Sequence, residues 1–510
     1  MQHTDQFSQL SAYFLETAML KPSSIAVAIL TVLTTQLTTQ QAWAEGYKLY
    51  EQSVSAMGNA YAGRGAQITD ATLAYSNPAA ISQLKQAQFA SGVNLIKADT
   101  KYQNAAATSA TGLAVTGKTA GKNSLIEAVP FVFYTDQLTD KVNYGLGFYV
   151  PFGLSSNYQD DWVGRYFADE TAIEVLALQS SLSYQFNPDW AIGVGFSLNH
   201  ATGTLSKFKD HGGLCELGAA INSLYRQDVY NANFCQSHYE VNGDDWAAGY
   251  SLGVFGRITP DLAIAMMYHS ELKFVLRGDS TITHTPITGA NVTDPRRYQV
   301  ISPRLPAIDR QTGKLASTPI LTEASRLALT TPSSVAISLD HQFSKAWSWQ
   351  ASLNWTGWSV FEEIAILSNS AQPTISLSTQ SPENLAKTGY IGYIPQYWHD
   401  TLAGAIGLTY RHNGDLTLKT GLAYDENPIQ VQRKNARVPT ADRIWWTLGS
   451  TFTLTPTWSV DVAYGYLWMS GHTSSEREFN AADIALYQSG LTASFKNHAH
   501  VLGAQMNYRF

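Results

Sequence analysis

Apolar residues fall at every second position through segment after segment of this chain, and few folds can use that pattern so often. In "WAIGVGFSLN", Trp190, Ile192, Val194, Phe196 and Leu198 share one face, while Ala191, Gly193, Gly195, Ser197 and Asn199 share the other. Side chains of a β-strand alternate between its faces, so the stretch predicts a strand with one greasy side and one small, polar side. "WSWQASLNWT" repeats the device, with Trp347, Trp349, Leu353 and Trp355 opposite Ser348, Gln350, Ser352 and Asn354. "WSVDVAYGY" repeats it again, with Asp461 on the polar side. A soluble sandwich would bury the greasy face and wet the polar one. Two features favour the inverse. The polar face is Gly, Ser, Asn and Gln with few Lys or Glu, which suits a narrow wet lumen. Aromatics gather at strand ends (Trp190, Trp246, Trp347, Trp458, Tyr184, Tyr410, Tyr424), as in the interfacial girdles of transmembrane barrels.

Such segments begin near residues 88, 127, 142, 174, 190, 246, 261, 333, 347, 401, 416, 444, 458 and 498, fourteen in all. Short gaps with turn chemistry, such as Asn187-Pro188-Asp189 and Asn413-Gly414-Asp415, alternate with long ones such as 200–245, 270–332, 359–400 and 468–497. The expected fold class is all-β: a 14-stranded antiparallel transmembrane β-barrel with periplasmic turns and extracellular loops. The closing "AQMNYRF" places Met506, Tyr508 and Phe510 outward, the kind of terminal aromatic strand that barrel-assembly machinery reads. Composition agrees. Only 14% of residues are charged, against about 25% in a soluble domain, and no central run of about 18 apolar residues predicts a helical span. A net charge of −7 gives a nucleic-acid partner no electrostatic support.

The N-terminus reads as a processing signal. Lys21 precedes the apolar "SSIAVAILTVL", and Ala42-Trp43-Ala44 offers a small-x-small cleavage site, so residues 1–44 are expected to be a cleaved signal peptide, starting at Met1 or Met19. The 42 residues from Glu45 to Gln86 lack strand alternation and are rich in Gly, Ala and Ser. A fourteen-stranded lumen leaks unless filled, and small residues pack closely inside a tube, so 45–86 is the expected plug and 87–510 the barrel. Cys215 and Cys235, an even pair in an exported chain, are expected to form a disulfide; a metal site is the weaker reading, for want of a third ligand at suitable spacing.

The leading segment "GNAYAGRGAQITDATLAYSNPA", with Asn77-Pro78-Ala79 at its end, together with "LTPTWSVDVAYGY" and "ADRIWW", resembles the FadL family of outer-membrane long-chain fatty-acid transporters, which also includes aromatic-hydrocarbon channels. The likeness runs from Glu45 to Phe510. It implies passive uptake across the outer membrane of a Gram-negative bacterium: capture in an apolar loop groove, transfer to a lumenal site against the plug, plug rearrangement, and exit through a side opening at a kinked third strand. No cofactor, metal or energy source is implied, since a hydrophobic ligand follows its own transfer free energy, roughly 0.8 kcal/mol per methylene. The expected partners are the hydrophobic ligand, outer-membrane lipid and the assembly machinery, with the barrel acting as a monomer.

Individual residues take roles within that scheme. Leu214, Leu217, Ile221 and Leu224 form an apolar stripe at helical spacing that either packs on a neighbouring loop or lines the capture groove, braced by the disulfide. Gly145, Gly147, Pro151 and Gly153 mark the third strand either as the candidate broken wall, because Pro cannot donate to a ladder and Gly favours bends, or as a strand that ends at its proline and passes into its loop. Strand parity turns Arg443, Lys419 and Arg257 into the lumen, where each either meets a ligand carboxylate or pairs with groups such as Asp461 or Asp340. Arg443 in "ADRIWW" also matches a family motif position, and Arg165 in the second loop could recruit a head group. Asn77, Pro78 and Ala79 would be the stiff, gating end of the plug, since proline fixes its own φ and restricts the residue before it, or a simple turn that hands the plug to the first strand. Enzyme signals are poor. "GYSLG" at 249–253 matches G-x-S-x-G but sits mid-strand rather than at a strand-to-helix turn, and no metalloprotease or phosphate-loop motif occurs. An outer-membrane hydrolase is the less favoured alternative to a fatty-acid or aromatic-hydrocarbon channel.

Overall fold

The computed structural model describes residues 46–109, 112–210, 236–284, 320–370, 375, 377, 389–479 and 484–510. Fourteen antiparallel strands close into a barrel. They are β1 (Gln88–Thr108), β2 (Gly121–Thr139), β3 (Val142–Asn157), β4 (Glu170–Asn187), β5 (Trp190–Asp210) and β6 (Gln236–Thr259). Next come β7 (Leu262–His269 and Leu272–His284), β8 (Ile320–Thr331 and Ser334–Gln342), β9 (Trp347–Thr356 and Glu363–Ser368) and β10 (Tyr390–Pro395 and Thr401–Arg411), each in two runs. The wall ends with β11 (Leu416–Asp425), β12 (Arg443–Thr453), β13 (Trp458–Met469 and His472–Phe479) and β14 (Ala485–Arg509). Each strand pairs with the next, and β14 closes on β1 from Gln88↔Arg509 to Thr108↔Gly490. Closure removes the unpaired sheet edges that a bilayer cannot satisfy.

Alternation is realised in the inverse sense. Ile192, Val194, Phe196 and Leu198 of β5 are exposed, whereas Ala191 and Asn199 on its other face are buried. On β9, Trp347, Trp349 and Leu353 point out while Ser348 and Gln350 are fully covered. Several strands outrun their sequence prediction: β6 has 24 residues and β14 has 25. The outer runs of β7, β8, β9, β10 and β13 all fall in stretches that read as loops from sequence. They rise beyond the apolar belt, where the outward face turns polar (Lys273, Arg277, Asp279) and the inward face apolar (Leu272, Phe274, Leu276), so the greasy-out pattern followed through the belt no longer holds.

The segment before β1 lies against the inward faces of these strands. A four-residue helix, α1 (Val54–Met57), is capped by Ser53, whose Oγ accepts from Ala56 N at 3.2 Å. Its first amides donate to Gln505 Oε1 of β14 at 2.9 and 3.4 Å. A second, α2 (Leu73–Ser76), ends at Asn77, and a 3₁₀ turn, Pro78–Gln83, follows. Proline forces Asn77 into extended backbone (φ −166°, ψ 101°), which stops one helix, and Asn77 Oδ1 then accepts from Ala79 N at 3.1 Å to start the next. Wall glycines make the close approach possible. Gly193 of β5 and Gly253 of β6 face each other, and a methyl on either would overlap Ala79 N or Asn77 Oδ1. Asn77 Nδ2 donates to Val254 O at 3.0 Å and to Gly65 O at 3.2 Å.

Candidate functional site

β3 breaks its pairing at the positions of its Gly and Pro residues. Among the described residues it pairs with β2 only from Val142 to Phe148, and its register with β4 shifts between Tyr149 and Phe152. Pro151 explains the break, since it has no amide to donate, and Gly147 lies against the Phe133 ring without room for a side chain. The chain's leading residues take up the freed edge. Leu49 N donates to Pro151 O at 2.9 Å, Gly153 N donates to Tyr47 O at 2.8 Å, and Gln52 Nε2 donates to Val150 O at 2.8 Å.

Above this point the interior is apolar. Tyr47 packs among Phe152, Trp358, Phe361 and Trp398 at ring-centroid distances of 4.6–5.8 Å. Beside this cluster a cavity with about 730 Å³ of atom-free space, partly open to solvent, is walled by Tyr47, Leu154, Val241, Leu276, Phe361 and Trp398. A second, of about 910 Å³, is bounded by Leu205, Tyr239, Ile391, Tyr393 and Glu476. Arg437, from the loop between β11 and β12, lies on the wall of both. It is 4% exposed; its Nη1 donates to Thr171 Oγ1 at 3.1 Å and Glu170 O at 3.3 Å, and its Nε has no hydrogen-bond partner among the described residues. Burial pulls its pKa down to about 10, so the guanidinium is charged at neutral pH. Glu476 accepts from Ala436 N, and burial pushes its pKa up to about 7 against the opposing pull of Arg437 and Lys207. It sits above the belt, because the outward neighbours past Trp468 are Thr473, Ser475 and Arg477.

The cations expected in the lumen are turned toward the leading segment. Lys419 Nζ donates to Ser55 O at 3.0 Å and lies 3.8 Å from Asp461, both side chains almost fully buried. Arg257 Nη2 donates to Gln83 Oε1 at 3.2 Å. Arg443 is 1% exposed; it donates to Thr440 Oγ1 at 3.0 Å and is one of two guanidiniums beside Glu51, the other being Arg64. Asp340 accepts from Gln350 at 2.7 Å. Arg165 is buried between the outer loops, donating to Gln236 Oε1 at 2.8 Å and Thr116 O at 2.8 Å. Gly145 lies under Ala74, and Asn77, Pro78 and Ala79 lie on the glycine pair of β5 and β6. Leu214, Leu217, Ile221 and Leu224, with Cys215 and Cys235, fall outside the described residues. Sequence reading missed Arg437 and Tyr47. Arg437 follows "KNA" in an irregular loop where parity has no meaning, and Tyr47 lies in a segment with no periodicity at all.

A closed barrel with an apolar exterior and an apolar interior cavity defines an outer-membrane channel. The chain belongs to the family described as "Outer membrane protein transport protein (OMPP1/FadL/TodX)", which matches residues 35–510. It is 25% identical over 497 residues to the long-chain fatty acid transport protein of Escherichia coli K12, covering 96% of this chain and 98% of that one. It is 25% identical over 489 residues to outer membrane protein P1 of Haemophilus influenzae, covering 92% and 95%. The fold is shared with a Pseudomonas aeruginosa FadL homologue (TM-score 0.73, 22% identity, 91% of this chain and 100% of that one). It is also shared with the Pseudomonas putida toluene transporter TodX (TM-score 0.58, 17% identity, 92% and 100%). The family is described as outer-membrane transport proteins, and the relatives carry the names of a transport protein and an outer-membrane protein, so the protein is an outer-membrane transport protein of a Gram-negative bacterium.

Proposed function

We propose that the protein takes up long-chain fatty acids, binding the alkyl chain in the apolar cavity and the carboxylate at Arg437. The carrying observation is a buried, charged guanidinium, its Nε without a hydrogen-bond partner among the described residues, on the wall of a mainly apolar cavity that Arg326 also lines. The cavity's aliphatic and aromatic lining, Leu154, Val241, Leu276, Leu327, Leu329 and Phe361, suits an acyl chain. An ionised acid gains a charge-assisted hydrogen bond there that a neutral hydrocarbon cannot make.

In this reading residues 45–86 are the plug, with Arg443, Lys419 and Arg257 holding it and becoming available to a carboxylate only once it moves. Movement of Tyr47–Leu49 off β3 frees the edge of Pro151–Gly153 beside β2, and the ligand leaves laterally through that gap into the bilayer. The barrel works as a monomer, delivered by barrel-assembly machinery that reads Phe510.

Uptake of labelled oleate by cells lacking their own fatty-acid transporter tests the assignment. Wild type restores uptake, and Arg437→Ala lowers the initial rate at limiting oleate about tenfold or more, the loss of one charge-assisted hydrogen bond. Unchanged oleate uptake by a folded Arg437→Ala barrel refutes the assignment. The ring cluster of Tyr47, Trp358, Phe361 and Trp398 favours a second reading, uptake of small aromatic hydrocarbons. Toluene entry without oleate entry would establish it.

A further inference from the structure

We propose that the outer face of β14, β1 and β2 is a binding site for a phosphorylated lipid of the outer leaflet. Three cross-strand rows build it. His500 lies opposite Lys97, His498 opposite Asp99, and Lys496 opposite Lys101, which in turn lies opposite Lys122. Lys97, Lys101, Lys122 and Lys496 are all exposed. The last row therefore sets three ammonium groups side by side on adjacent strands, an arrangement that is destabilising without a counter-anion. Asp99 is the one acid among them. It is already engaged by Lys122 at 2.9 Å, by His498 at 3.4 Å and by Ser124, so it offsets little of the remaining charge.

The height of the patch selects the partner. Val93 and Leu95 on β1, Leu502 and Met506 on β14, and Val462 on β13 are the outward residues just below it. Tyr464, Tyr466 and Trp468 of β13 stand at its edge, with Tyr466 5.2 Å from the His500 ring and Tyr464 Oη 2.7 Å from His500 Nδ1. Lys97 is nine residues along β1 from Gln88. At about 3.3 Å per residue and a tilt of roughly 40°, that is some 23 Å above the periplasmic end, the top of a belt about 25 Å tall. The cations thus meet the head-group level of the outer leaflet, where each is worth about 1 kcal/mol toward an anionic lipid. Elsewhere at this level signs are mixed: Asp244, Arg277 and Asp279 are exposed together on β6 and β7. In a chain of net charge −7, the described residues at this level gather four exposed lysines, Lys97, Lys101, Lys122 and Lys496, in this one sector. The ligand class is a lipid carrying phosphate on its head group, with its acyl chains lying along Leu95, Ile126 and Leu502 below.

Native mass spectrometry of the full-length barrel in maltoside detergent tests this, titrating bis-phosphorylated lipid A and its fully dephosphorylated counterpart. The expected result is one saturable adduct with the phosphorylated form, weakened on the order of 100-fold in K101A/K122A/K496A. Inorganic phosphate at millimolar concentration does not displace it, since the acyl contacts are missing, and raised salt weakens it. Lys273→Ala, an exposed cation in another sector, leaves it unchanged. Equal binding of the dephosphorylated lipid to wild type, or an undiminished adduct in the folded triple variant, would overturn the proposal. The wild-type comparison decides the matter even if the variant does not fold.

Discussion

The contact between the Asn77–Ala79 turn and the wall is tight enough that one side chain should dislodge it. Gly193 has no space for a Cβ: the atoms it would meet are Ala79 N, Pro78 C and Ala79 Cα, all backbone, so no side-chain rotation relieves the overlap. In Gly193→Val the turn must move inward, at an overpacking cost of about 1–3 kcal/mol. Opposing that move are two hydrogen bonds from Asn77 Nδ2, at 3.0 and 3.2 Å, each worth a net of about 1 kcal/mol. The two quantities are comparable, so the displaced state gains roughly 5- to 150-fold in population. Single-channel conductance of the purified barrel in planar bilayers reads that population directly, as openings that are rare in wild type. Gly404→Ala is the matched control, since a methyl there meets nothing within 4 Å. If a folded, heat-modifiable Gly193→Val barrel conducts like wild type and Gly404→Ala, the wall glycines are not what seats the segment.

Two further outcomes follow from the charged groups. Protonation of Glu476 below about 7 removes the carboxylate that competes for Arg437, so an alkyl sulfonate, anionic throughout, binds more tightly as pH falls from 8 to 6; Glu476→Gln abolishes the dependence, checked by fluorescence titration. Because this carboxyl holds its proton longer folded than unfolded, the same group contributes stability at low pH that is lost as pH rises through about 7. Lys419→Met strips Asp461 of its buried cation, leaving it with Thr451 and Asn507 Nδ2 at 2.7 Å, and should cost about 3–5 kcal/mol, seen as a lower urea midpoint that Lys419→Met/Asp461→Asn largely restores.

What the sequence disclosed tracks where the solvent sits. Within the belt each strand has lipid on one side and packed interior on the other, so the period-2 signal reports facing directly and turned Lys419 and Arg443 inward. Beyond the belt the sense reverses, with polar residues such as Lys273 and Arg277 outward and Leu272, Phe274 and Leu276 inward, and the outer runs of β7 to β10 passed for loops. The roles of inward residues were harder to read, because they depend on what lies opposite. Parity could orient Arg257 but not reveal Gln83 beside it, and nothing in "KNARVP" announced that Arg437 would be buried between two cavities. The turn at Asn77 was legible because proline acts on its own neighbours, a local effect; its seat on Gly193 and Gly253 was not, since those glycines lie more than a hundred residues away.

The hydrogen bonds from Val54 and Ser55 to Gln505 join partners 451 and 450 residues apart. Gln505 belongs to the last strand, so these two bonds form only once that strand is in place. Until β14 is in place, the amides of α1 have no acceptor there, whereas the edge of β3 that Tyr47–Leu49 joins lies close in sequence: Gln52 and Val150 are 98 residues apart. The leading segment is therefore tied at both ends of the barrel's sequence, to β3 near its start and to β14 at its close, so its full set of bonds exists only in the closed wall.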